Sequence, residues 1–285
     1  MPLTTSKTEV DRIRQLFDLS GRVAIITGGA GLLGYQHGDV LAAAGAHVVL
    51  LDLAASDPEK RAAQLTAAHQ IECLGVTADI TSEDSIVDAS NRIMARFGRI
   101  DILINNAANN PKVEDSTKLA WSRLENLPIG LWDADIRVGL TGAFLCSRVF
   151  GAEMAKARRG VILNVASDLA LISPDQRLYR VDGLPDDQQP VKPVSYSVVK
   201  AGLLGLTRYL ATYWSGSNIR VNAISPGGVS NGQPEVFLSR LKQLIPMERM
   251  AARSEYQGAI LFLCSDASSY MTGGNLVIDG GRTCW

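Results

Sequence analysis

The chain has 285 residues, 46% of them hydrophobic, enough to bury a large core in one domain. Its formal net charge is -1, which argues against the basic surface that nucleic-acid binders use to displace counterions. No run of about 18 apolar residues offers a membrane-spanning helix, and the polar start MPLTTSKTEVDRIRQ lacks the apolar core of a secretory signal.

Taken in chain order, the first expected element is a short helix. Val10, Ile13, Leu16 and Phe17 fall on one helical face within an N-terminal extension, residues 1–20. That face is expected to pack on the domain or on a neighbouring subunit. Seven apolar runs follow: RVAIIT, HVVLLD, ECLGVTAD, IDILINN, GVILNVAS, IRVNAIS and NLVIDGG. Continuous apolar runs suit strands covered on both faces, as in a parallel sheet. Segments such as YQHGDVLAAAGA and SIVDASNRIMARFG are long enough for crossover helices between them. The alternation predicts an α/β fold, a doubly wound parallel sheet of about seven strands flanked by helices. No linker divides residues 21–285, so they form one domain. Cys73, Cys146, Cys264 and Cys284 are scattered, without a CxxC pair. They read as reduced thiols, and the location expected is cytoplasmic. His37, His47 and His69 lack metal-ligand spacing, so no metal is expected.

The first run leads directly into TGGAGLLG, Thr27 to Gly34, with glycines at 28, 31 and 34. Such glycines permit a tight turn and let backbone approach a pyrophosphate. Leu32 and Leu33 open the next helix, whose free N–H groups face that anion. The following run ends in Asp52, 21 residues after Gly31. A carboxylate there accepts hydrogen bonds from a ribose and repels a 2′-phosphate, and Leu53, not Arg or Lys, follows it. These features favour NAD over NADP.

TGGAGLLG, the TADI around Asp79, NNAA at Asn105 to Ala108, Ser167, YSVVK at Tyr196 to Lys200, SPGG at Ser225 to Gly228 and the terminal MTGGNLVIDGG occur in one order along the chain. In these motifs it resembles the short-chain dehydrogenase/reductase family, with its single Rossmann-type domain, over nearly its whole length. The resemblance implies that Asp79 and Ile80 lie by the adenine and that Asn106, Ala107 and Ala108 support the cofactor. It also implies that Pro226, Gly227 and Val229 cradle the nicotinamide side. More narrowly, PDQRLYR, DGLPDDQQPVKPV and SDASSYMTG look like oxidoreductases associated with legionaminic acid and related surface-sugar pathways.

The family requires a tyrosine with a lysine four residues on, which share a face of a helix. Tyr196 has Lys200 at that spacing, whereas Tyr179 has Gly183. Yet Tyr179 stands 12 residues after Ser167, near the family's usual separation, and Tyr196 stands 29 after it. The resemblance therefore implies an insertion, about 168–193, with Tyr196 as the reacting tyrosine. Ser167 would hold the substrate oxygen, Tyr196 would exchange the proton, and Lys200 would favour the phenolate and reach the nicotinamide ribose. Asp168, Arg177, Tyr179 and Arg180 of the insertion, with Asn109, Asn110 and Lys112 opposite, are candidate substrate contacts. Leu178, Tyr179, Val181 and Leu184 would anchor the insertion as a lid, while Asp175, Asp182, Asp186 and Asp187 offer its arginines internal partners.

The pattern departs from the family in three places. The glycine loop is spaced TGxxGxxG, Gly139 replaces the usual relay asparagine, and Asn231 replaces a threonine. The function expected is an NAD-preferring oxidoreductase acting on an alcohol or carbonyl of a sugar, sugar phosphate or polyol, assembled as a tetramer or dimer. The alternatives are a dinucleotide-sensing or scaffold protein, or a sugar dehydratase or epimerase.

Overall fold

A computed structural model of the protein describes residues 7–109 and 119–285. All seven apolar runs are strands: β1 (Val23–Thr27), β2 (His47–Asp52), β3 (Cys73–Thr77), β4 (Ile102–Asn105), β5 (Gly160–Val165), β6 (Ile219–Pro226) and β7 (Asn275–Ile278). They form one sheet in the order β3-β2-β1-β4-β5-β6-β7, and every pairing is parallel.

The described helices are α1 (Lys7–Leu16), α2 (Leu32–Ala43), α3 (Pro58–His69), α4 (Glu83–Phe97), α5 (Ile129–Ile136), α6 (Gly142–Ala157), α7 (Val194–Tyr213), α8 (Glu235–Lys242) and α9 (Gln257–Cys264). Local sequence sets several of their ends. Ser82 caps α4 by accepting from the Ser85 amide, Glu83 and Asp84 occupy its first turn, and left-handed Gly98 ends it. Asp57 caps α3, with Pro58 in its first turn.

The two faces of the sheet explain why the strands are apolar throughout. Ile25, Val49 and Leu103 pack with Ile86 and Ile93 of α4 and Phe150 of α6. Ala24, Ile26, Leu50 and Ile104 pack with Leu41 of α2, Leu65 of α3 and Ile260 of α9 on the other face. Each such side chain contributes about 1.5–3 kcal/mol by leaving water. Crossovers leave β1 and β4 in opposite senses, which opens a crevice beyond their carboxyl ends.

The N-terminal helix forms with Val10, Ile13 and Leu16 exposed on the single chain, so of the two expected covering surfaces the domain does not bury them. The insertion is folded onto the domain. It carries short turns at Asp168–Ala170, Gln176–Tyr179 and Asp186–Gln188. Leu178 is buried against Leu241 and Ile245 beside α8, with Tyr179 and Phe237 packed around it. Gln189 bonds Val181 and Leu184 backbone from within the insertion, and Arg240 of α8 donates to the Arg180 carbonyl at 2.6 Å. Val181 does not serve as an anchor, because it stays exposed.

Candidate active site

Two adjoining cavities occupy the crevice. The first, of about 340 Å³, is walled by Gly28, Gly31, Asp52, Leu53, Asp79 and Ile80, with Ala107, Ala108 and Asn109 opposite. Its shape starts at the glycine loop. A Cβ on Gly34 would lie 2.2 Å from the Gly28 carbonyl oxygen, so α2 can begin this close only with glycine there. No side chain caps the start of α2 at Gly31, which leaves its first N–H groups for a ligand. Asn106 braces the loop by donating to the Thr27 and Gly28 carbonyls at 3.0 and 3.2 Å. Asp52 accepts from the Ala30 amide at 3.0 Å and the Leu53 amide at 2.8 Å. A carboxylate has lone pairs beyond those two bonds, and they are offered to the cavity. Asp79 is exposed and accepts from Thr81. Uncapped amides, missing Cβ atoms and an acidic wall together fit an adenosine diphosphate group.

The second cavity, of about 380 Å³, brings together Ser167, Tyr196 and Lys200 with Leu32, Leu33, Pro226, Gly227 and Val229. Ser167 follows β5, and Tyr196 and Lys200 lie on the first turns of α7. The α7 start is pinned by Ser195, which donates to Asp135 of α5. Below, Asn105, Ser147, Asn164 and Thr207 form a buried hydrogen-bonded chain joining β4, α6, β5 and α7. Lys200 donates to the Val165 carbonyl at 2.7 Å, and its Nζ lies 5.8 Å from the Tyr196 ring centroid.

Burial pushes the Lys200 ammonium down to about 8, helped by the charge of Lys192. The Tyr196 phenol is pushed up by burial, eased by its hydrogen bond with Ser167, and pushed up further by the Asp168 charge. The sequence expectation was a phenol lowered by Lys200. Desolvation in the cavity instead raises it.

The insertion delivers some of its candidate residues here and not others. Asp168 and Tyr179 line the reaction cavity, and the Tyr179 ring packs tilted against Phe237, centroids 5.6 Å apart. Arg177 pairs with Asp175 and Arg180 with Asp186. Both arginines face a separate cavity beside Arg240 on the outer side of the insertion. Lys192 is instead the insertion's cation in the reaction cavity, its Nζ 4.0 Å from the Tyr196 ring centroid. Asn109 lines the first cavity and donates to the Ala134 carbonyl at 3.3 Å. Asn110 and Lys112 lie outside the described residues.

Sequence reasoning missed Arg282. It lines the reaction cavity and bonds Asp168 at 2.8 Å, both side chains almost fully buried. The signal lay in the terminal DGG. Gly280 and Gly281 have φ of +67 and +89, and Asp279 accepts from the Gly281 and Thr283 amides. This tight turn carries the chain from β7 back over the cavity.

Residues 22–179 match the family described as short chain dehydrogenase, and residues 188–283 match the enoyl-(acyl carrier protein) reductase family. The chain belongs to the short chain dehydrogenase family. It is 35% identical to a D-threitol dehydrogenase of Mycolicibacterium smegmatis, over 94% of this chain and 95% of that one. It is 32% identical to an NAD-dependent glycerol dehydrogenase of Listeria innocua, over 94% of this chain and 96% of the other. Among solved structures, a gluconate 5-dehydrogenase of Burkholderia cenocepacia in complex with NADP and tartrate superposes with a TM-score of 0.83. That match has 25% identity and covers 96% of this chain and 99% of the other.

Within this short chain dehydrogenase, the Gly139 departure has a packing cause. Gly139 sits in a π-helical turn, Arg137–Thr141, between α5 and α6. A Cβ there would meet Val199 Cγ1 at 2.5 Å. Val199, next to Lys200, fills the space that a side chain at 139 would need. Asn231 lines the reaction cavity and accepts from Arg253 at 2.6 Å, which leaves its amide nitrogen available. The protein is thus an NAD(P)-dependent oxidoreductase by family. No described helix is long and apolar enough to cross a membrane.

Proposed function

We propose that this dehydrogenase prefers NAD and oxidises a secondary alcohol of a polyol or sugar, or reduces the matching carbonyl. The observation that carries the reading is the convergence of Ser167, Tyr196 and Lys200 in one cavity that adjoins the Asp52 cavity. When bound, the nicotinamide supplies the hydride acceptor or donor. Ser167 hydrogen-bonds the substrate oxygen. Tyr196 removes the hydroxyl proton in oxidation and returns it in reduction. Lys200, held by the Val165 carbonyl, places positive charge by the phenolate and reaches the ribose. Asp52 receives the ribose hydroxyls and repels a phosphate on them.

Supporting the substrate class, the relatives act, by their names, on threitol and glycerol. The narrower likeness to surface-sugar oxidoreductases extends the class to sugars of legionaminic acid type. Supporting a homo-oligomer, Phe144 of α6 and Val198, Tyr209 and Tyr213 of α7 are exposed. Light scattering reads that directly.

The test incubates purified protein with NAD or NADP and a panel of polyols, sugars, sugar acids and sugar phosphates, following reduced cofactor. A dehydrogenase accumulates it with at least one compound. A dinucleotide sensor binds cofactor and accumulates none, and an epimerase or dehydratase makes product without net reduction.

A further inference from the structure

Ser167 Oγ is hydrogen-bonded to Asp168 Oδ1 at 2.8 Å, so its one hydroxyl proton is shared among Asp168, Tyr196 and substrate. The Leu169 amide donates to both oxygens, at 2.8 Å to Asp168 and 3.2 Å to Ser167. The other carboxylate oxygen receives Arg282 Nη1 at 2.8 Å. Asp168 and Arg282 are 3% and 8% exposed, so neither charge is left to water. A buried carboxylate this close opposes any second negative charge nearby. Tyr196 acquires such a charge each time it loses its proton.

We propose that Asp168 and Arg282 are a positioning pair for the reaction, Asp168 holding Ser167 in place beside the substrate oxygen and Arg282 cancelling the carboxylate's charge beside Tyr196. This rests on the reading of Tyr196 as the proton-exchanging group. The pair links residues 114 apart in sequence, joining the end of β5 to the turn after β7. Other charged groups face the same phenol. Lys192 lies over its ring and Lys200 lies one turn along α7. Tyr256 of the β6 side and Asp175 of the insertion sense Asp168 and Arg282 respectively. Asp168 and Arg282 are bonded to each other and, through Ser167, to Tyr196.

The test titrates the Tyr196 phenol itself by tyrosinate absorbance. The curve of each variant is differenced against the same variant carrying Tyr196→Phe. No substrate is needed. Arg282→Gln leaves Asp168 uncompensated and raises the phenol's midpoint by about one pH unit, whereas Asp168→Asn leaves Arg282 uncompensated and lowers it by about one. The double variant and Arg282→Lys stay near the parent. A structural brace alone would move both single variants the same way or neither, and either result overturns the proposal. If Arg282→Gln does not fold, Asp168→Asn against Arg282→Lys decides it, and a midpoint that Asp168→Asn fails to lower is the overturning result. A Tyr196→Phe enzyme that still reduces NAD with threitol or glycerol would instead sink the reading of Tyr196 and leave the titration standing.

Discussion

In the cavity around Asp52, the two carboxylates are met from the turns after the first three strands: Leu53 and Ala30 for Asp52, and Thr81 for Asp79. In the cavity around Tyr196, a decisive contact is distant: Arg282 reaches Asp168 across 114 residues. The first cavity is therefore built mainly from the turns that follow β1, β2, β3 and β4. The second exists only when β5, the insertion, α7 and the C-terminal turn have all docked. Changes in the first should act locally on cofactor choice, and changes in the second should spread.

The largest expected effect tests stability behind the glycine loop. His37 of α2 is buried, neither ring nitrogen has a partner, and burial lowers its pKa from the ordinary 6.5 to about 4. The folded state therefore binds fewer protons than the unfolded state between those two values. Stability is full above 6.5 and falls as pH drops towards 4, by about 3 kcal/mol in total, then levels off. Denaturant melts across that window should show the loss, and His37→Leu should flatten it. An unchanged slope in the variant would remove His37 as the cause.

Gly139→Asn comes next. The new side chain runs into Val199 and should cost about 1–3 kcal/mol by overpacking, read as a fall in melting temperature. Adding Val199→Ala should recover most of it. Failure of that rescue would mean that Gly139 answers to something other than Val199.

Asp52→Ala should weaken NAD binding about tenfold, near 1.4 kcal/mol, while improving NADP. Fluorescence titration of both cofactors checks this, and NADP binding as tight as NAD in the parent would contradict the assignment. The smallest effect belongs to Arg177→Ala. Its guanidinium is paired with Asp175 on the outer side of the insertion, so kcat/KM should move by less than about twofold, whereas a marked rise in KM would show that the insertion rearranges around substrate.

The same comparison explains what the sequence could reveal. Strands buried on both faces announce themselves as unbroken apolar runs, and all seven were readable. Glycine spacing and a strand-end Asp are local, so the Asp52 cavity was readable too. The lysine four residues beyond Tyr196 separated it from Tyr179, because a helical face is set by local spacing. Arg282 had only the adjoining DGG turn as a local sign, since its role depends on that turn folding back over a distant serine. The insertion's cations were readable only as alternatives: Arg177 and Arg180 could meet substrate or the insertion's own carboxylates, and Asp175 and Asp186 pair with them, while Lys192 is carried inward just before α7. The exposed apolar side of α1 carried a helical signal, yet amphipathicity alone does not name the surface that covers it.

The central claim is that Tyr196, not Tyr179, exchanges the proton. It is tested most directly by measuring NAD reduction with a polyol found active in the panel, alongside NAD affinity, in Tyr196→Phe and Tyr179→Phe. The account predicts that Tyr196→Phe loses at least about 100-fold in kcat with NAD affinity unchanged, while Tyr179→Phe keeps most of its kcat. Substantial turnover in Tyr196→Phe, or an equal loss in a folded Tyr179→Phe, would contradict it.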